Sequence, residues 1–257
     1  MTTIRTIPET GSTNADLADL ARTGLPEAVW LRAERQIGGR GRQGRAWVSP
    51  LGNFYASTLV RLRPTDPPPA SLGLVAAVAL EEVASLYLCS REGGSPERQA
   101  WSNLPVLPPV REHGLVLKWP NDLLLGGAKL SGILLERVGD AVVVGVGVNL
   151  ANHPDLPDRP TTSLAAHGAA VAPADFAETL AEAFARWLSV WRGTGLATVR
   201  ARWLERAHPV GTALAARLPD GVLAEGLFAG LDPDGALILR LADGRTRAIH
   251  AADIMLG

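Results

Sequence analysis

Residues 35–47 read Arg35-Gln36-Ile37-Gly38-Gly39-Arg40-Gly41-Arg42-Gln43-Gly44-Arg45-Ala46-Trp47, four glycines and four arginines in one short stretch. No helical or alternating apolar period runs through it, so it cannot bury itself. Glycine admits positive φ and close backbone approach, which lets successive N–H groups converge on one oxygen cluster. Arginine adds a planar fork of donors suited to phosphate or carboxylate. A solvated surface loop is the competing reading, since most charge runs are that. Gly39-x-Gly41-x-x-Gly44 has the form of a dinucleotide fingerprint, but that fingerprint needs a strand before it and a helix after it. Val29 to Ala33 suits the strand, whereas Trp47-Val48-Ser49-Pro50-Leu51-Gly52 denies the helix. An anion-binding loop survives.

All but two of the 25 cationic residues are arginine; the exceptions are Lys118 and Lys129. A compositional bias explains the arginines. It does not explain why both lysines stand beside glycine-rich features, where a compact, rotatable ammonium differs from a rigid fork. Lys118 opens Lys118-Trp119-Pro120-Asn121-Asp122, Lys129 precedes Ser131-Gly132, and Gly145-Val146-Gly147-Val148 leads to Asn149. Several cations, one carboxylate and flat glycine surfaces suit nucleotide-dependent activation of a carboxylic acid. There the acid attacks the α-phosphorus of ATP and pyrophosphate leaves, and the site must hold two anions together and neutralise growing charge.

The bulk properties narrow the class. With 257 residues, 47% apolar, one catalytic-sized domain with a small appendage is expected, and a net charge of −1 argues against a broad nucleic-acid footprint. One cysteine, Cys89, excludes internal disulfides and fits a reducing cytoplasm. The start lacks the apolar core of a signal peptide. The most apolar run, Leu72 to Leu80, is expected to end at Glu81-Glu82, short of the roughly 20 residues of a membrane span. No DNA or membrane partner is expected. The five histidines, His113, His153, His167, His208 and His250, show no metal-ligand spacing.

The elements that must position these residues follow in order. Thr13 with Asp16 three later suggests a capping box opening a helix that Gly24 and Pro26 stop. Ser12 and Thr13 either cap that helix or offer hydroxyls to a ligand at its N-terminus. Alternation at Phe54, Ala56, Thr58, Val60 and Leu62 predicts a half-buried strand. Residues 70–88 predict a deeply buried helix. Residues 91–113, aperiodic and rich in proline, read as a mobile surface insertion. Residues 115–119 begin a run of strands with hairpins at Gly126-Gly127 and Gly139-Asp140. In that register Gly132 faces Gly147, with Gly145 on the same side, as a floor for something flat or as packing under a helix. Simple pleating puts Lys129 on the other face, so a bulge is needed to bring it to Gly132. Helices follow at 174–192, with the aromatic face Phe176, Phe184, Trp187 and Trp191 as core, and at 196–207. Beyond a boundary near His208-Pro209, turn signals at Pro219-Asp220-Gly221, Asp232-Pro233-Asp234-Gly235 and Asp243-Gly244 mark a small all-β module.

The blocks Gly39 to Trp47, Lys118 to Asp122, Lys129-Leu130-Ser131-Gly132-Ile133-Leu134 and Gly145 to Asn149, with Ser12-Thr13-Asn14, resemble the signature of biotin protein ligases in order and spacing. The resemblance is strong over residues 8–150 and weak in the tail. It implies an α+β fold: a mixed, largely antiparallel sheet with helices over 1–208, and a small β-barrel over 209–257. It implies two steps, in which biotin and ATP give biotinoyl-adenylate and a lysine of a biotin carboxyl carrier protein then attacks it. Ser12, Thr13, Asn14, Gln36, Gly39, Arg40, Gly132 and Gly145 would bind biotin. Arg40, Arg42 and Arg45 would close over the phosphate, Arg42 retaining the intermediate. Lys129 would bridge carboxylate and α-phosphate, and Lys118 would hold the ATP phosphates. Asn121 would belong to the nucleotide site, Trp47 would stack on adenine and Asn149 would bond near it. Asp122 would assist the incoming amine or the Mg2+ that arrives with ATP, no metal or tightly bound cofactor being intrinsic.

Larger relatives carry an amino-terminal DNA-binding winged helix, and eleven residues precede Ser12, so ligation without repression is expected. A homodimer is left open. A lipoate or octanoate ligase shares the fold but normally lacks the arginine loop and the Lys-Trp-Pro-Asn-Asp block. A non-enzymatic RNA-binding module would use the same arginines but lacks an aromatic platform.

Overall fold

The fold is described from a computed structural model, over residues 2–89, 114–157 and 159–256. The reading of 91–113 as an insertion therefore falls outside the described residues. Strands β1 (Thr3–Thr10), β2 (Val29–Gln36), β3 (Phe54–Arg61), β4 (Leu115–Lys118), β5 (Asp122–Leu125), β6 (Ala128–Val138) and β7 (Ala141–Val148) form one sheet in the order β1-β2-β3-β7-β6-β5-β4. Only the β1–β2 pairing is parallel; the others are antiparallel. Both predicted hairpins are present: Gly126 and Gly127 take φ of 60° and 82° between β5 and β6, and Gly139 takes 59° between β6 and β7.

Two unequal layers cover this sheet. On one face lie α2 (Leu72–Cys89), α3 (Pro173–Thr194) and α4 (Leu196–Arg206), over the side chains of Phe54, Ala56, Val144 and Val146. Three of the four stripe aromatics of α3 are core, as expected: Phe184 meets Trp30 edge-on, Phe176 packs on Phe54, and the Trp191 indole donates to Ser71 Oγ at 2.8 Å. Trp187 is half-buried and donates to Glu82 at 2.9 Å. Among the described residues the opposite face carries only the short helix α1 (Thr13–Arg22), with Leu17 and Ala21 against Leu31, Leu59 and Val143. Being short, α1 leaves one end of that face open, and the chemistry gathers there.

Two expectations about burial are corrected. β3 is buried on both sides, not half-buried, because α1 covers Ser57 and Leu59 and the loop at Pro50 accepts from the Tyr55 hydroxyl at 2.8 Å. Glu81 does not end the apolar run. It is 1% exposed inside α2, with Ser85 Oγ donating to it and Arg202 and Arg206 at 3.6 and 3.7 Å. Burial holds its carboxyl above the usual range despite Arg206, Ser85 and Arg202. Pro69–Cys89 is thus long and apolar enough to cross a membrane, but it is largely buried against the sheet and its neighbouring helices.

The chain's end forms a second antiparallel sheet of β8 (Ala213–Arg217), β9 (Leu223–Leu231), β10 (Leu237–Arg240), β11 (Thr246–Ile249) and β12 (Asp253–Leu256), in the order β11-β10-β9-β8-β12. It sits close to the first sheet. Phe228 packs edge-on to Trp203 of α4, and the Trp119 indole donates to Gly235 O at 3.1 Å.

At the far end, Glu27 ties three elements. It accepts from Arg61 N at 2.6 Å and from both ends of the Arg192 fork at 2.7 and 3.1 Å. Burial raises its carboxyl, but the bonds from Arg192 and Arg61 and the charges of Arg192 and Arg63 outweigh that and leave it lowered. A carboxyl lowered on folding stabilises above its ordinary value and loses that contribution as pH falls through the folded value. Glu27→Gln should therefore cost about 1–2 kcal/mol in urea unfolding at pH 7, discounted for partial exposure. The gap to the unmodified chain should close as pH falls below 4.5; a gap constant with pH would contradict the assignment.

Candidate functional site

Beyond β2 the chain doubles back on itself. Trp47 N donates to Gly39 O at 2.9 Å, Arg40 and Ala46 form an antiparallel bridge, and Gly41 N donates to Arg45 O at 2.7 Å. The arginine strap is a miniature hairpin whose turn, Arg42–Gly44, places Gln43 at φ 57° and Gly44 at 71°. The amides of Gly41 and Trp47 are thereby committed to the hairpin itself. Gly39 is glycine for another reason, because a Cβ there would lie 2.6 Å from Trp47 O and 2.8 Å from Ser49 Oγ. The strap also offers an anion its side chains. Arg40 is exposed. Arg42 donates to Ala252 O at 3.1 Å and more weakly to Asn121 Oδ1 at 3.5 Å, and Arg45 pairs with Asp253.

The lysines reach the same patch by a different route. Leu123 pairs with Ser131 but Leu124 pairs with Lys129, so Leu130 is an extra residue in β6. This bulge reverses the pleat and brings Lys129 to the face of Gly132, where a Cβ would sit 3.5 Å from its Nζ. Asp122 stands directly across from both Gly132 and Lys118, and Lys129 Nζ donates to its Oδ1 at 2.6 Å. Asn121 is held by Nδ2 donating to Ile133 O at 2.8 Å, after a cis Trp119–Pro120 bond.

Gly132 and Gly147 do face each other, and the flat object on them is Trp47. A Cβ on Gly147 would meet its indole at 2.7 Å, and Lys129 Nζ lies 5.6 Å from the ring centroid, within cation–π range. The indole Nε1 is buried with no hydrogen-bond partner. Gly145 is not part of that floor. The Asn14 side chain fills its space, with Ser57 Oγ donating to Oδ1 at 2.6 Å and Nδ2 donating to Glu136 at 2.6 Å. For this glycine the packing reading holds.

The start of α1 is not a capping box. Asp16 accepts from Thr10 Oγ1, and Ser12 caps without a side-chain bond. Gln36 Oε1 instead accepts from Thr13 N at 2.9 Å and from Thr13 Oγ1 at 3.1 Å, so a neighbouring strand satisfies the helix end. Ser12, Thr13, Asn14, Gln36 and Gly39 thereby form a polar group under the strap, with Ser49 joining Gln36 to Trp47 O. Asn149 is 2% exposed and its amide donates to Thr162 O at 2.9 Å, fixing the loop that runs beside Lys129.

The electrostatics follow from burial. Lys118 is lowered by desolvation, helped by Lys129 and Arg159 and opposed by Asp122 and Asp253. Burial also lowers Arg42, with Asp253 and Asp122 opposing and Arg45 assisting. His208 is pushed down by burial and by Lys118. Arg42, Arg45, Lys118 and Lys129 thus share one field, balanced in part by Asp122 and Asp253. Such a patch can bind a phosphate and a carboxylate side by side. Asp253 was missed in the sequence because it stands alone on the last strand, far from every motif. Ser57 and Glu136 were legible only as residues on the α1 face of β3 and β6.

Fold and site together fall in the class of the Biotin/lipoate A/B protein ligase family, which residues 9–149 match. Residues 214–257 match the Biotin protein ligase C terminal domain. A biotin–[acetyl-CoA-carboxylase] ligase of Paracoccus denitrificans is 42% identical over 98% of this chain and 99% of its own length. One from Mycobacterium tuberculosis is 32% identical over 97% and 87%. The Aquifex aeolicus biotin protein ligase, solved with biotin and ATP, shares the fold at a TM-score of 0.78, 21% identical over 100% of this chain and 99% of that one. The chain belongs to the biotin protein ligase family.

The two glycine roles separate by experiment. Gly145→Ala must expel Asn14 from two short hydrogen bonds and should cost about 2–3 kcal/mol in urea unfolding. Gly147→Ala displaces only the strap's indole, so it should shift the Trp47 Nε1–H resonance at smaller cost. Equal stability losses would contradict the division.

Proposed function

We propose that this enzyme converts biotin and ATP to biotinoyl-5'-AMP and then biotinylates one lysine of a carboxylase's biotin carboxyl carrier protein. The observation that carries the reading is the convergence of Lys129, Lys118 and Arg42 about Asp122. Biotin's carboxylate oxygen would attack the α-phosphorus while the bond to the β-phosphate oxygen breaks and pyrophosphate departs with Mg2+. Lys129, which has Asp122 as counter-ion now, would exchange it for the carboxylate and α-phosphate together and screen their repulsion. Lys118 would take the remaining phosphates, and Arg42 with Arg45 would close over the product. Asp122, freed from Lys129, would accept the proton when the carrier amine attacks the acyl carbon and AMP leaves.

Biotin's polar urea would be met by Ser12, Thr13, Asn14, Gln36, Gly39 and Arg40, with Gly132 along its ring side and Gly145 making room for Asn14. Trp47 would leave the glycine floor to stack on adenine, which gives its unpartnered N–H a polar surrounding. Asn121 and Asn149 would border the nucleotide. Mg2+ would arrive with the ATP and lie beside Asp122. The same reading divides the chain at 208/209 into catalytic and C-terminal parts and places it in the cytoplasm, where ATP is available.

Pyrophosphate exchange into ATP should depend on biotin and not on lipoate; exchange with lipoate alone would replace the substrate assignment. Lys129→Ala should lower exchange by about 100-fold or more with the fold intact, and normal exchange would remove the mechanism. Arg42→Gly should release adenylate and label bystander lysines; unchanged selectivity for the carrier would contradict its retaining role.

A further inference from the structure

We propose that Asp253 is the positioning residue of the strap: a carboxylate on the last strand that holds Arg42 and Arg45 together for the incoming phosphate. The proposal rests on the adenylate reading above. Two guanidiniums on one short hairpin repel each other, and each lacks a partner within the strap strong enough to fix it. Gln43, at 3.0 Å from Arg45, is neutral. Asp253 supplies the missing charge: it pairs with Arg45 and lies 3.9 Å from Arg42 Nη1, which also donates to the adjacent Ala252 O at 3.1 Å.

The carboxylate is itself held in place. β12 pairs Asp253 with Arg217 of β8, and its neighbours Ala252 and Ile254 are 2% and 6% exposed, so the backbone that bears it is anchored in the core. Its side chain is only 20% exposed, which limits screening by salt. It engages Nη1 of Arg42 and Nη2 of Arg45. A guanidinium has five N–H donors, so the remaining edges stay available for phosphate oxygens. Asp253 therefore orders the cations before the ligand arrives, which lowers the entropic cost of closing them over it. It also makes the C-terminal sheet part of the phosphate site.

The test compares Asp253→Asn and Asp253→Glu with the unmodified chain. Asparagine keeps the shape and removes the charge. It should raise the KM for ATP about tenfold (~1.4 kcal/mol), leave kcat and the KM for biotin within about twofold, and increase bystander labelling severalfold. Glutamate should recover most of the ATP affinity. Trypsin cleavage after Arg42 and Arg45, without ligands, should be about fivefold to tenfold faster in Asp253→Asn, because cleavage follows the open population. An unchanged KM for ATP with unchanged cleavage would overturn the proposal. A lowered KM would overturn it as well, because Asp253 would then compete with phosphate. If the unmodified chain exchanges no pyrophosphate, the adenylate reading fails, while the cleavage rates still decide whether Asp253 orders the strap.

Discussion

One extra residue in a strand governs the site. Were β6 regular beside β5, Lys129 would point to the helix-covered face, away from Gly132, and its ammonium would be buried among the apolar side chains under α2. The bulge at Leu130 turns it to the open face, where Asp122 receives it at 2.6 Å. Leu130 is fully buried, and its carbonyl accepts from Asn149 N at 3.0 Å. The bulge is therefore locked by core packing on one side and by the end of β7 on the other. Asn149 then fixes Thr162, whose amide returns to Lys129 O at 3.0 Å. A closed circuit of hydrogen bonds, two from the backbone and one from the Asn149 side chain, holds the one ammonium that must reach two anions.

Around that circuit the asymmetry of the layers matters as much as any side chain. Among the described residues, three helices cover one face of the sheet with a continuous apolar core, and a single short helix covers part of the other. The open remainder is lined by glycines and roofed by a strap closed by its own backbone bonds. Charge there is balanced internally: Lys129 meets Asp122, which stands where a phosphate or carboxylate oxygen would compete, and the strap's Arg42 and Arg45 meet Asp253, which leaves their other edges free. A ligand with two anionic groups can displace Asp122 from Lys129 without leaving a buried cation unpaired, which is the costly alternative.

Much of this was legible in the residues. The glycine–arginine stretch, the two solitary lysines, the register of Gly132 against Gly147 and the need for a bulge all follow from spacing and pleating. The failures have a common cause in tertiary contacts that no local pattern encodes. Thr13 and Asp16 looked like a capping box, but Gln36 from another strand took the helix end. Glu81 looked like the end of an apolar run, but two arginines of α4 let it be buried. Gly145 looked like Gly147, but Asn14 reaches one and Trp47 the other. Asp253 had no signal at all, since its meaning arises only when the second sheet folds back beside the strap.

The most direct measurement is a crystal structure with a non-hydrolysable biotinoyl-adenylate analogue. The account predicts its phosphoryl-mimicking group within hydrogen-bond reach of both Lys129 Nζ and the Arg42 guanidinium, with Asp122 released from Lys129 and Trp47 lifted from Gly147. An analogue bound with Lys129 still paired to Asp122, and the strap opening onto a different cavity, would contradict it.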